Sequence, residues 1–192
     1  MDSIRTNGHI NGNELNAFML DEIFSSNTSA ASSNYILIES TRRWLEPHLW
    51  TDLANLGVQY QMLLSAKGFY LAVYPYEDLE PIRKKDYVKR VAIYPPSLKI
   101  DSCLKLITIS EPTATKDILL RFHRDQILSA SEIVPKLAHA AGVPSENIDF
   151  DEEHANIGQS ATIKGMKLSR LDCLAAVDSV EYLQDVGEYV TC

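Results

Sequence analysis

The sequence predicts an α+β fold: a single compact domain with a mostly antiparallel sheet and helices mainly in its C-terminal half, preceded by a flexible N-terminal arm. Three observations lead there. Apolar runs with a period of two, bounded by turn residues, dominate the stretch from Tyr35 to Ile109. Helical periods gather behind them, and no regular alternation of strand and helix joins the two. In front of both, Ser25 to Asn34 is built only from Ser, Asn, Thr and Ala, which cannot bury enough apolar surface to offset the entropy of ordering. The arm is therefore residues 1–34 and the globular domain 35–192.

Within the arm, Leu15, Phe18, Met19 and Ile23 fall on one face of a short helix over about residues 13–24, with Asn11 or Asn13 as its N-cap. An isolated helix this short is marginal in water, so it either docks on its own body or fills a partner's groove. Behind the tether, Tyr35 to Ile38 reads as a first strand. Pro47 opens a helix carrying Leu49, Leu53 and Leu56, and Gly57 closes it. Val58, Tyr60, Met62 and Leu64 then alternate with polar residues, Ser65 to Gly68 signals a turn, and Phe69 to Tyr74 is continuously apolar. That pattern is a β-hairpin whose second strand is covered on both faces.

Asp86 to Tyr94 is the next expected strand, stopped by Pro95-Pro96. Leu98, Ile100, Leu104 and Leu106 share one parity and Ile107 and Ile109 the other, which suggests a further strand with a bulge. Thr115 to Gln126 places Ile118, Leu119 and Phe122 at helical spacing, although its Ile-Leu-Leu run also suits a strand. Ser131 caps a helix bearing Ile133, Leu137, Ala140 and Ala141, with Gly142 as its stop. Ser169 and Asp172 open a last helix with the stripe Cys173, Val177, Val180 and Leu183, closed by Gly187.

The chain has 192 residues, a formal net charge of −8 and a pI near 5.1, which argues against a surface that is basic throughout and made for nucleic acid or anionic membrane. Its three cysteines, Cys103, Cys173 and Cys192, lack paired spacing and are expected as reduced thiols, Cys103 and Cys173 packed in the core. No transmembrane run and no signal-like segment is present in the sequence, so the expected location is intracellular, cytoplasmic or nuclear, or the virion if the protein is viral.

Cofactor and metal are both expected to be absent. The acidic run Asp149, Asp151, Glu152 and Glu153, with His154 behind it, fails the calcium-loop pattern: His154 stands where a glycine is needed and Ser160 where an acid is needed. It reads as a solvated acidic turn after a strand. His123, His139 and His154 lack the short ligand spacing of a zinc site. With no glycine-rich phosphate loop, no glycine-flanked serine and no paired His motif, no catalytic residue is assigned.

Two features point to partners. Arg83, Lys84, Lys85, Lys89 and Arg90 form a local basic patch suited to weak contact with a polyanion or an anionic membrane. Two tracts, Tyr74-Pro75 with Leu79 and Tyr94-Pro95 with Leu98, resemble the late-domain motifs by which viral matrix proteins recruit the host membrane-scission machinery. The function expected from these features is a non-enzymatic protein-interaction or assembly protein, capable of self-association. Its most specific version is a small viral matrix or accessory protein using the tethered helix and the basic patch. The alternatives are a cellular adaptor domain and a small enzyme with a noncontiguous site.

Overall fold

A computed structural model describes residue 24 and residues 33–65, 67–152 and 158–186. The fold is α+β and its sheets are antiparallel, as the sequence predicts. Its residues gather into two compact units, Met1–Pro95 and Pro96–Cys192, so the strands are distributed between two four-stranded sheets. The break falls at Pro95-Pro96, where two successive prolines cannot continue a strand ladder.

Unit 1 runs β1 (Tyr35–Ser40), α1 (Pro47–Asn55), β2 (Gln59–Ser65), β3 (Phe69–Val73), α2 (Glu80–Arg83) and β4 (Val88–Ile93). Its strand order is β2-β3-β1-β4. The hairpin forms with Ser65 opposite Phe69, and helix α1 starts at Pro47 as expected. Unit 2 opens with α3 (Ser102–Ser110) and continues β5 (Thr115–Phe122), α4 (Ala130–Ala141), β6 (Ile148–Asp151), β7 (Ser160–Lys167), α5 (Leu171–Ala175) and β8 (Val180–Asp185). Its order is β6-β7-β5-β8. From β1 and from β5 alike the chain follows βαββαβ with the first and third strands in the centre, the split βαβ arrangement. The architecture is thus repeated in tandem, although no repeat is visible in the sequence.

Two elements depart from the sequence expectation and a third, open between helix and strand, is settled, each for a local reason. The bulged strand over Leu98–Ile109 is helix α3. Asp101 caps it by accepting from the N–H groups of Cys103 and Leu104, at 2.9 and 3.4 Å, and the apparent change of parity is the i, i+3 and i, i+4 spacing of Ile100, Leu104 and Ile107. The segment Thr115–Gln126, whose spacing suits a helix and whose Ile-Leu-Leu run suits a strand, is the strand β5, where Ile118, Leu120 and Phe122 alternate into the core. The last helix stops at Ala175, and its outer half turns at Val177–Ser179 to become β8, so Val180 and Leu183 are strand residues. Gly158 and Gln159 form a loop that leads into β7, which starts at Ser160. There Gln159 fixes the backbone of Leu128 from both sides, accepting from its N–H at 2.7 Å and donating to its carbonyl at 2.9 Å.

The cysteines also differ from expectation. Cys103 is disulfide-bonded, and Cys173 is free and exposed, because α5 turns Leu171, Leu174 and Ala175 inward instead. The proposed arm helix residues Leu15, Phe18, Met19 and Ile23 lie outside the described residues.

Two glycines show how tightly the turns are specified. Gly68 ends the hairpin turn at φ +87°, and a Cβ there would meet the Arg42 carbonyl oxygen at 2.6 Å. Gly165 has φ +63° and nothing within 4 Å. Replacement of Gly165 by Ala should cost only the left-handed strain of about 1 kcal/mol. For Gly68→Ala that strain adds to a backbone collision, and a loss of at least about 2 kcal/mol is expected. Urea unfolding of the two variants checks this ranking, and equal losses would contradict it.

Candidate interaction surface

Each sheet packs its helices on one face. In unit 1, Leu49 and Leu53 of α1 and Ile82 of α2 share a core with Ile36, Ile38, Tyr70, Ala72 and Val91. In unit 2, Leu104 of α3, Ile133 and Leu137 of α4 and Leu171 and Leu174 of α5 share one with Ile118, Leu120, Phe122, Ala161 and Ile163. What distinguishes the units is the other face of the sheet.

On that face of sheet 1, Met62, Leu71, Leu37 and Ala92 stand in register across the four strands. Leu37 and Leu71 are completely buried. On the equivalent face of sheet 2, the register aligns Asp149, Thr162, Leu119 and Gln184, and beside them Asp151, Ser160, Arg121 and Tyr182. All eight are half-buried or exposed. Polar side chains on a face turned away from the helices make it a wet surface with one apolar contact, Leu119, near its middle.

Strand order places β6 at one margin of sheet 2. There Leu119, Asp149, Phe150, Asp151, Glu152, Ser160 and Thr162 line a groove of about 640 Å³. Asp149 and Asp151 of the acidic run expected as a turn lie in strand β6 on the open face, with Phe150 between them packed on Phe122, ring centroids 5.7 Å apart. At the opposite margin, the N–H of Leu183 donates to the Lys99 carbonyl and that of Asp101 to the Leu183 carbonyl, so Lys99–Asp101 lies along β8.

The basic patch is largely neutralised. Arg83 pairs with Glu80 at 2.8 Å and Lys85 with Asp52 at 2.7 Å. Lys89 and Arg90 both hold the buried carboxylate of Glu39, at 2.7 and 2.6 Å. Lys84 is exposed on the turn after α2. The hydrogen bond from Lys85, with a second from Tyr87, holds the Asp52 carboxyl below its usual range, while burial beside that carboxylate pushes the Tyr87 phenol up. The anchors of both Tyr-Pro tracts are core residues: Tyr74, Leu79, Tyr94 and Leu98 are each 3% exposed or less, and the Tyr74 hydroxyl donates to the Asp78 carbonyl. Peptide motifs of this kind dock through exposed anchors, and these are turned inward.

Sequence reasoning missed a buried polar cluster in unit 2 because its members are far apart in the chain. Lys99 donates to the carbonyls of Val177 and Asp178, at 3.2 and 3.5 Å, and the backbone N–H of His123 donates to Ser179. The turn from α5 into β8 is thereby held from two sides. Burial lowers Lys99 to about 8 and His123 to about 3, and raises Glu181 to about 7 against the opposing pull of Arg124 and Arg121. The 3.7 Å approach of His123 Nδ1 to Glu181 is therefore a contact of two neutral groups near pH 5, not an ion pair. His123 is fully sealed from solvent, which suits a structural lock rather than a reacting group.

No protein-family model matches the chain, and no solved structure matches it. Among curated proteins it is similar to the DNA-directed RNA polymerase subunit beta' of Helicosporidium sp. subsp. Simulium jonesii, with 28% identity over 134 residues. That alignment covers 64% of this chain, and the chain spans 15% of the subunit's length.

The cluster makes stability depend on pH in a defined way. The lowered pKa of His123 gives stability that is present above about 6.5 and is lost as pH falls toward 3. The raised pKa of Glu181 gives stability that is present below about 4.5 and is lost as pH rises through 7. Between pH 7 and 4.5 the two oppose each other, so the wild-type melting temperature should be nearly flat there and fall only below. Glu181→Gln removes the offset. Its melting temperature should exceed that of the wild type at pH 7.5 and decline by several degrees by pH 4.5, and parallel wild-type and variant profiles would count against the assignment.

Proposed function

We propose that the chain is a non-enzymatic protein-interaction protein whose second unit docks a basic, extended segment of its partner in the acid-rimmed groove of sheet 2. The observation that carries this reading is the open face itself: a register of half-buried side chains around Leu119, bordered at β6 by Asp149, Asp151 and Glu152. A marginal strand offers backbone groups to an added strand, and a carboxylate rim selects for Lys and Arg.

Charge distribution supports the same partner. Residues 96–192 contain 15 acidic and 9 basic residues, whereas residues 1–95 contain 11 and 9. The negative field is concentrated in the unit that bears the groove, where it steers a cationic segment toward it. The viral matrix version of the reading drew on the Tyr-Pro tracts, whose anchors now belong to the core, and it is not carried further.

Fluorescence anisotropy with a labelled peptide of alternating Lys and Val tests the proposal. Binding should weaken steeply between low and physiological salt. Asp149→Asn with Asp151→Asn should lower affinity about three- to tenfold, as expected for two exposed charge contacts, while leaving the circular dichroism spectrum unchanged. Equal affinity of wild type and variant, or equal binding of a Glu-Val peptide, would sink the reading.

A further inference from the structure

One end of sheet 1 gathers basic side chains around an exposed indole. The register there ends at Ser65, Phe69, Ser40 and Val88, so residues 41–46, the turn at Lys67-Gly68 and residues 84–87 all lie at the same end of the sheet. Backbone bonds draw them together: the Ser40 N–H donates to the Gly68 carbonyl and the Thr41 N–H to the Tyr87 carbonyl, both at 2.9 Å. They carry five basic residues, Arg42, Arg43, Lys67, Lys84 and Lys85, against two acidic ones, Glu46 and Asp86. In a chain of net charge −8 that is a local reversal of sign. Arg42 is paired with Glu46 and Lys85 with Asp52, whereas Arg43 and Lys84 are exposed and make no ion pair among the described residues.

Trp44 stands among these residues, 58% exposed. One phenol fixes the backbone on both sides of it: the Tyr70 hydroxyl accepts from the Leu45 N–H at 3.0 Å and donates to the Arg43 carbonyl at 3.3 Å. Tyr70 is itself buried and lies edge-on to Trp50, ring centroids 5.1 Å apart. The loop is braced from beneath, and the indole stays in solvent with the Arg43 guanidinium carbon 5.8 Å from its ring centroid. A large aromatic side chain presented on a braced loop has the form of a preorganised binding anchor.

We propose that this end of unit 1 binds single-stranded nucleic acid, with one base stacked on Trp44 and with Arg43 and Lys84 on neighbouring phosphates. An aromatic face receives a base whatever its identity, and cations without acidic partners receive the backbone. A duplex keeps its bases stacked on one another and offers no free face to the indole, so the surface selects single strands. Stacking and phosphate contact both ignore the 2′-hydroxyl, so RNA and DNA are taken alike. The inference concerns unit 1 and does not depend on the groove of unit 2.

The test titrates the full chain at low salt with oligouridylate, oligothymidylate and inorganic polyphosphate, the last a polyanion without bases. Both oligonucleotides should bind with comparable affinity and quench tryptophan fluorescence. Trp50→Phe leaves Trp44 as the remaining tryptophan and should keep the quenching. Trp44→Ala should weaken oligouridylate binding by about fivefold or more, with Trp44→Phe restoring most of it, and should leave polyphosphate binding unchanged. Arg43→Gln with Lys84→Gln should reduce the slope of log affinity against log salt by about 1.4. Trp44 and the two cations are exposed, so circular dichroism should match the wild type in every variant. Absence of oligonucleotide binding at low salt would overturn the proposal. So would an unchanged affinity of Trp44→Ala, or polyphosphate binding as tight as that of oligouridylate, since the surface would then hold charge without reading bases.

Discussion

The constraint on which the rest of the structure depends is the double burial of the two central strands of unit 1. Strand β1 is buried along its whole length, and β3 along all but its last residue. A strand buried on both faces keeps its backbone paired on both sides as well, and β1 is indeed flanked by β3 and β4. That requirement places β1 in the centre, sends β2 and β4 to the margins, and leaves Glu39 as the one carboxylate drawn into the buried row. A buried carboxylate must be compensated. Lys89 and Arg90 supply the compensation, which is why the basic cluster serves the fold before it serves any polyanion.

Unit 2 solves the same topology with the opposite economy of faces. Its central row on the far side is Thr162 and Leu119 where unit 1 has Leu71 and Leu37. Substituting polar for apolar at equivalent register positions turns a face that must be covered into one that tolerates water. A surface of that kind is free to exchange water for a partner, and the acids of β6 set the sign of the partner it favours. The Lys99–His123–Glu181 cluster lies elsewhere in the unit and holds the turn into β8, so the face is backed by a rigid element.

The sequence was legible where local signals are strong. Pro47 and Gly57 bound a helix, Ser65 to Gly68 turns a hairpin, and Gly142 ends α4 in the left-handed conformation at φ 69°. It misled where one pattern serves two periods: Ile100, Leu104 and Ile107 read as a bulged strand until the Asp101 cap is given its due weight, and Val177 to Leu183 continues a helical stripe across a turn. The candidate surface was hardly legible. Asp149 and Asp151 stood out as an acidic run, but their alignment with Thr162, Ser160, Leu119 and Arg121 depends on strand register, which no local signal encodes. The Tyr-Pro tracts show the converse, since residues that look like exposed anchors in sequence are packing residues at strand ends.

The central claim is that two sheets of equal topology differ in one face, closed in unit 1 and open in unit 2. Hydroxyl-radical footprinting of the full chain, read by mass spectrometry at single residues, tests it most directly. Leu119 and Tyr182 should be oxidised far faster than Leu37, Leu71 and Phe69. Equal rates at the two sets, or protection of Leu119 and Tyr182 with oxidation of Leu37 and Leu71, would contradict the account.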